Sequence, residues 1–172
     1  MHTLSRCLLL TSCLFALPAL AQHLTGTVVE VKSGDTIILN DANRQRHRIH
    51  LLGIAAPKIT QPYGPESTTR LSSLLFQREV DIADAMHDGH GGMRGKLLTV
   101  TPGCNGPACP RTFDAGLMQI KSGMAWWDPR FSAAQTAQDR EEYQHAEFGA
   151  KTRRLGLWAD KRPLPPWQWR GG

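Results

Sequence analysis

Beyond residue 21 the chain has no apolar run long enough to span a bilayer, no internal repeat, and only two cysteines. The first absence excludes a membrane-spanning helix in the remainder of the chain. The second excludes a repeat array. The two cysteines, Cys104 and Cys109, lack further ligands at zinc-like spacing, which argues against a structural zinc site. What is left is a chain of about 150 residues, enough for one ordinary domain with a hydrophobic core and few covalent staples.

The excluded first segment has its own logic. Arg6 precedes an apolar run from Cys7 to Leu20 that ends in Ala19-Leu-Ala21, the order of a secretory signal peptide with small residues where a signal peptidase inspects the chain. Residues 1–21 are therefore expected to be cleaved and the protein to be exported, to the periplasm or the medium. Cys7 and Cys13 leave with this segment. Cys104 and Cys109 then remain as a pair in an oxidising compartment, where they are expected to form a disulfide that pins a loop rich in Pro and Gly.

Removing Arg6 leaves 19 Lys and Arg against 15 Asp and Glu, a net charge of +4. The positive charge is clustered: Arg44, Arg46 and Arg48 in one stretch, and Lys151, Arg153, Arg154, Lys161, Arg162 and Arg170 towards the end. Such clusters suit a polyanion, because each phosphate neutralised releases counterions. They equally suit a solvated face that aids solubility.

Periodicity supplies the elements. Thr25–Val31, Asp35–Leu39 and His47–Ile54 read as a three-stranded meander, and Glu66–Phe76 as a helix with Leu71, Leu74 and Leu75 on one face. Strands are expected at Arg78–Ala83 and Lys96–Val100, joined by a flexible glycine-rich stretch from Asp88 to Gly95. A short helix begins at Phe113 and ends before Gly123. A longer helix runs from about Ala133 to Arg154, with Tyr143, Ala146, Phe148 and Ala150 inward. Residues 161–172, with Pro163, Pro165 and Pro166, read as an extended strap. The order argues for an α+β domain built on a small antiparallel barrel.

Within this frame stand five short words: Gly34-Asp-Thr36, Leu51-Leu-Gly-Ile-Ala-Ala-Pro57, Tyr63-Gly-Pro-Glu66, Gly123-Met-Ala-Trp126 and Leu155-Gly-Leu-Trp158. Their order and spacing, from about Thr25 to Trp158, resemble the successive signatures of the staphylococcal-nuclease (thermonuclease) family. The resemblance implies a five-stranded antiparallel OB-fold barrel with about three helices over residues 22–160, and an ancestral calcium-dependent hydrolysis of DNA and RNA.

That chemistry needs a hard cation held by carboxylates, a group that orients water, and arginines that stabilise charge on the phosphoryl oxygens. By the resemblance, Asp35 is the retained metal-ligand candidate. His50 stands where the family has an arginine, Ala55 where it has a second aspartate, and Lys58 where it has the water-orienting glutamate. Arg94 is a stand-in for the family's second arginine, in a glycine-rich stretch without clean register. The resemblance therefore points to an impaired member that binds nucleic acid, another polyanion or a protein partner, with no cofactor and as a monomer. The alternative is an active exported nuclease with Ca²⁺ at a site rebuilt from Asp35, His50, Arg94 and one of Asp84 or Asp88.

Other readings of the same residues remain open. His50 alone is most simply a satisfied strand histidine, and His87, Asp88 and His90 most simply exposed polar residues rather than a new metal site. Trp126 and Trp158 are expected to fill the core between helices, and Trp167 and Trp169 to pack the strap onto the barrel, although tryptophans beside Arg and Lys also stack bases on OB-folds.

Overall fold

The computed structural model describes residues 22–104, 106 and 108–171. The expected signal segment lies outside them. Eight strands and three α-helices follow in the order β1 (Gln22–Ser33), β2 (Thr36–Asn40), β3 (Arg46–Leu51), β4 (Ile54–Ala55), α1 (Gly64–Leu75), β5 (Glu79–His87), β6 (Met93–Val100), β7 (Arg111–Asp114), α2 (Ala115–Lys121), β8 (Trp126–Trp127) and α3 (Ala137–Thr152).

Strands β1, β2, β3, β5 and β6 close a five-stranded barrel in the order β3-β2-β1-β5-β6, with β7 added at the outer side of β6. All neighbours are antiparallel except β3 and β6, which close the barrel as a parallel pair. The OB-type α+β architecture stands, and its sheet is mixed rather than wholly antiparallel. Closure demands curvature, which β1 supplies through register shifts between Val28 and Glu30 and between Val31 and Ser33. Inward positions of the strands carry Val28, Ile37, Leu39, Ile49, Leu51, Val80, Ile82 and Leu97, all buried. Leu71 and Leu75 of α1 close one end of this core.

The turn between β1 and β2 is held from beneath. The buried Gln119 side chain of α2 donates to the Gly34 carbonyl at 2.9 Å and to that of Ser67 at 3.0 Å, while Ser67 Oγ donates to the Met124 carbonyl at 2.7 Å. A Cβ on Gly34 would fall 1.8 Å from Ser67 Oγ, so only glycine lets this turn approach α1. On the other side of α2, Asp114 caps its first turn by accepting from Leu117 N at 3.0 Å, and also accepts from Tyr143 of α3 at 2.9 Å. Burial pushes the Asp114 carboxyl above its ordinary value. Lys96 Nζ, 3.6 Å from Asp114 and 2.5 Å from Asp139, ties the start of α3 to the barrel.

Several element boundaries differ from the sequence reading. Phe113 belongs to β7 and α2 starts two residues later, because Leu98 and Thr99 of β6 pair with Asp114 and Phe113 before Asp114 can cap the helix. The long helix begins at Ala137, after a 3₁₀ segment over Pro129–Ala134, since Thr136 accepts from Asp139 N as an N-cap and interrupts the pattern. Phe148 is exposed rather than inward. The glycine-rich stretch forms a hairpin turn in which Asp88 Oδ1 accepts from His90 N at 2.8 Å and Gly92 N at 2.9 Å. The strap is not wholly extended: a turn closed by Gln168 N on the Pro165 carbonyl, 2.9 Å, bends it back. Cys104 and Cys109 are bridged, with Cα atoms 5.9 Å apart, in the β6–β7 loop. No helix among the described residues is long and apolar enough to cross a membrane.

Candidate active-site cleft

The turn clamped by Gln119 presents Asp35 at the mouth of the barrel. Its carboxylate accepts three hydrogen bonds from the chain around it, which leaves one acceptor site on Oδ2. Oδ1 accepts from Ser33 Oγ at 2.6 Å and Thr36 Oγ1 at 2.9 Å, and Oδ2 accepts from Ala56 N at 2.8 Å. The Asp35 carbonyl accepts from Leu51 N at 2.9 Å, so the turn is fastened to the end of β3 as well.

His50 sits opposite Thr36 in the β2–β3 ladder and opposite Arg94 in the parallel β3–β6 pair. Barrel closure thus resolves what the glycine-rich stretch left without register: Arg94 stands beside His50. His50 Nδ1 lies 3.0 Å from Thr36 Oγ1. When Thr36 donates to Asp35, the imidazole carries its proton on Nδ1 and donates to Thr36, which leaves Nε2 as the basic atom. Nε2 lies 3.6 Å from Asp88 Oδ2. Burial, with the Arg94 charge next in weight, holds the His50 pKa below its usual value against the pull of Asp35 and Asp88.

These residues line a cleft of about 610 Å³ together with Ala55, Lys58, Ile59, Asp128, Arg130 and Phe131. Ala55 is buried in the short β4–β8 pair, opposite Trp126, and offers the cleft only a methyl group. Lys58 is exposed and has no ion-pair partner among the described residues. The second lining carboxylate, Asp128, is held by Arg130 through two bonds of 2.8 and 2.7 Å. The Arg94 guanidinium lies over the Phe131 ring, 3.8 Å from its centroid. Burial draws the Arg94 pKa down, yet guanidinium remains charged.

Beside the cleft, a shallow groove joins Lys32, Arg46, Arg48 and His90. Lys32 lines both surfaces and is paired there to Glu30 at 2.6 Å, a carboxylate that also lines the groove. Arg46 is 3.2 Å from Glu30, and Arg48 donates to the His90 carbonyl at 2.8 Å. Arg44 is exposed at the turn before β3, with φ 60°. Lys151 and Arg154, at the end of α3, line neither surface, and Lys151 is committed to Glu147 at 2.7 Å and to the Trp158 ring.

The structure thus brings Asp35, His50, Arg94, Ala55 and Lys58 to one cleft and sets Asp88 behind His50. Asp84 is exposed at the register shift of β5 and does not line the cleft. No three His, Cys, Asp or Glu side chains gather as a metal site among the described residues, His87, Asp88 and His90 included. Trp126 and Trp158 meet edge to face at 5.8 Å; Trp126 is buried, as expected, whereas Trp158 is only partly buried, with Lys151 Nζ 4.5 Å from its ring centroid. Sequence reasoning missed the cleft wall of Asp128, Arg130 and Phe131, which belongs to the 3₁₀ segment that interrupts the helical pattern.

Comparison with known proteins agrees with this geometry. Residues 48–160 match the family described as Staphylococcal nuclease homologue. Over 145 residues the chain is 33% identical to a Micrococcal nuclease of Shigella flexneri, covering 84% of this chain and 79% of that one. It is 34% identical to Protein ParB of Escherichia coli, covering 90% and 83% of the two chains, and 29% identical to a protein of Escherichia coli O157:H7 named Uncharacterized endonuclease, covering 91% and 92%. With a closed OB-type barrel, the Gly34-Asp-Thr36 turn at its mouth and a cleft built around it, the chain belongs to the staphylococcal nuclease family.

Proposed function

We propose that this is an exported, nucleic-acid-binding member of the family in which calcium-dependent phosphodiester hydrolysis is lost. The observation that carries this reading is the carboxylate count of the cleft: Asp35 already accepts three hydrogen bonds from the chain, Asp128 is paired to Arg130, and Ala55 and Lys58 supply no oxygen. Calcium takes six to eight oxygen ligands. An aspartate that already accepts three hydrogen bonds, with one acceptor site left on Oδ2 and a lysine lining the same cleft, is a poor fit for it. Loss of one transition-state donor costs about 3–4 kcal/mol, and here several positions change within one site. The cleft retains positive groups, Lys58, Arg94 and Lys32, with Arg46 and Arg48 alongside. These support binding of a phosphate backbone.

The test is binding of single- and double-stranded oligonucleotides to the mature chain, with chelator present and at low and high salt. Salt-sensitive binding with chelator, together with no cleavage when Ca²⁺ replaces the chelator, supports the reading. Absence of binding at low salt contradicts it and moves the protein towards a protein partner.

A second reading has its own support in the Asp35–Thr36–His50 hydrogen-bonded chain and in Arg94 beside it. An imidazole kept neutral by burial, with a guanidinium alongside, is a base and a phosphoryl-charge stabiliser in adjoining positions. This arrangement favours residual hydrolysis at a rebuilt site.

A further inference from the structure

The C-terminal strap lies beyond residues 48–160, the part matched to the family, yet it reaches the cleft. Gln61 Nε2 donates to the Leu164 carbonyl and anchors the strap beside the loop that carries Lys58. Pro166 is buried, and the turn over Pro165–Gln168 brings Trp167 to the cleft rim. Trp167 is 41% exposed and rests one face against Arg130, whose guanidinium carbon is 4.8 Å from the ring centroid. Arg130 continues inward to the Phe131 ring at 5.9 Å, and Arg94 covers that ring at 3.8 Å. The wall is a ladder of alternating cations and rings. Ile59, also 56% exposed, lines the same cleft.

A tryptophan that merely fastened a strap would turn its indole inward. Here buried Pro166 and the Gln61–Leu164 hydrogen bond hold the strap, and Trp167 lines the same cleft as Lys58, which has no ion-pair partner among the described residues. An exposed indole backed by a guanidinium, on the same cleft as a lysine, matches a planar base attached to a phosphate. A base within a duplex is already stacked on its neighbours and has no free face to offer.

We infer that Trp167, delivered by the strap, is the stacking platform for an unpaired nucleobase, so that this cleft takes single-stranded nucleic acid in preference to duplex. The inference rests on the nucleic-acid reading above and adds the strand form and the residue that selects it. Trp167 is a binding residue set by the tail, while the phosphates are held by the barrel.

The experiment compares the wild-type mature chain with Trp167→Ala and Trp167→Phe at low salt with chelator. The probes are a short oligothymidylate, an abasic strand of the same length and phosphate count, and a duplex. One lost base stack lowers affinity by about 5- to 150-fold. The expected result is a loss in that range for oligothymidylate with Trp167→Ala, most of it regained with Trp167→Phe. Affinity for the abasic strand and the duplex should be unchanged. Quenching of indole fluorescence by oligothymidylate should shrink in both variants. Equal affinity of wild type and Trp167→Ala for oligothymidylate overturns the inference while leaving the nucleic-acid reading intact. An equal loss for oligothymidylate and the abasic strand also overturns it, because stacking cannot be the cause. If the wild-type chain binds none of the probes, both readings fall.

Discussion

Thr36 Oγ1 lies 3.0 Å from His50 Nδ1 and 2.9 Å from Asp35 Oδ1, and so joins the Gly34-Asp-Thr36 turn to the imidazole of β3. Thr36 is buried at the junction of β2 and β3. A Thr36→Val variant keeps the side-chain shape but leaves the imidazole nitrogen unpaired and removes one of the three hydrogen bonds to Asp35. The expected cost is about 0.5–1.5 kcal/mol of folding stability, the net worth of a typical hydrogen bond, because the His50 side chain is only partly buried. Urea unfolding of both proteins measures it; an unchanged midpoint would mean that the chain of bonds carries no weight.

A pH dependence follows from His50. Its folded pKa lies below the ordinary histidine value because of burial and Arg94. The unfolded chain therefore binds the proton more readily, and stability from this residue is full above about pH 6.5. That stability is lost as pH falls through the lower folded value. An anion in the cleft favours the protonated imidazole, so nucleic-acid affinity should rise over the same acid window. His50→Gln should flatten both profiles. Identical profiles for wild type and variant would remove His50 from the binding surface.

The elements were legible in the sequence where one face is buried and the other is wet, as in α1 and in the alternation along β6. Asp35, His50, Ala55 and Lys58 were legible through the resemblance, whose motifs run without a break along β2, β3 and the loop that follows. Arg94 could be named only as a stand-in without register, because its place depends on β6 closing against β3, a pairing between residues more than forty positions apart in the chain. Arg130 and Trp167 were illegible for a similar reason: a 3₁₀ segment and a proline-rich tail have no periodicity, and only tertiary packing brings them together.

Salt dependence separates the two basic clusters. Arg46 and Arg48 share a groove with Lys32, whereas Lys151 is committed to Glu147 and Trp158. Replacing Arg46 and Arg48 together with Ala should reduce the slope of log affinity against log salt by about 1.4 for a single strand, two phosphate contacts at about 0.7 each. Replacing Lys151 and Arg154 should change it less. Equal slopes for wild type and the Arg46/Arg48 variant would place the backbone elsewhere.

Adding carboxylates to the cleft tests the carboxylate count. The combined variant His50→Arg, Ala55→Asp and Lys58→Glu adds two carboxylates beside Asp35 and removes the lysine charge. Calorimetric titration with Ca²⁺ should show binding for the combined variant and little change for any single reversion, because effects within one site do not add. Binding by Ala55→Asp alone as tight as by the combined variant would show that Lys58 is no obstacle.

The most direct measurement is cleavage by the unaltered mature chain. Single- and double-stranded DNA and RNA are incubated with Ca²⁺, with Mg²⁺ or Mn²⁺, and with chelator, beside an Asp35→Ala control and an intact family member. Ca²⁺-dependent cleavage is expected to be absent or many orders of magnitude below that of the relative, since Ala55 and Lys58 of the cleft supply no oxygen to a cation. Cleavage with Ca²⁺ at a rate near that of the relative, abolished by Asp35→Ala, would contradict it and establish the rebuilt site as an active nuclease.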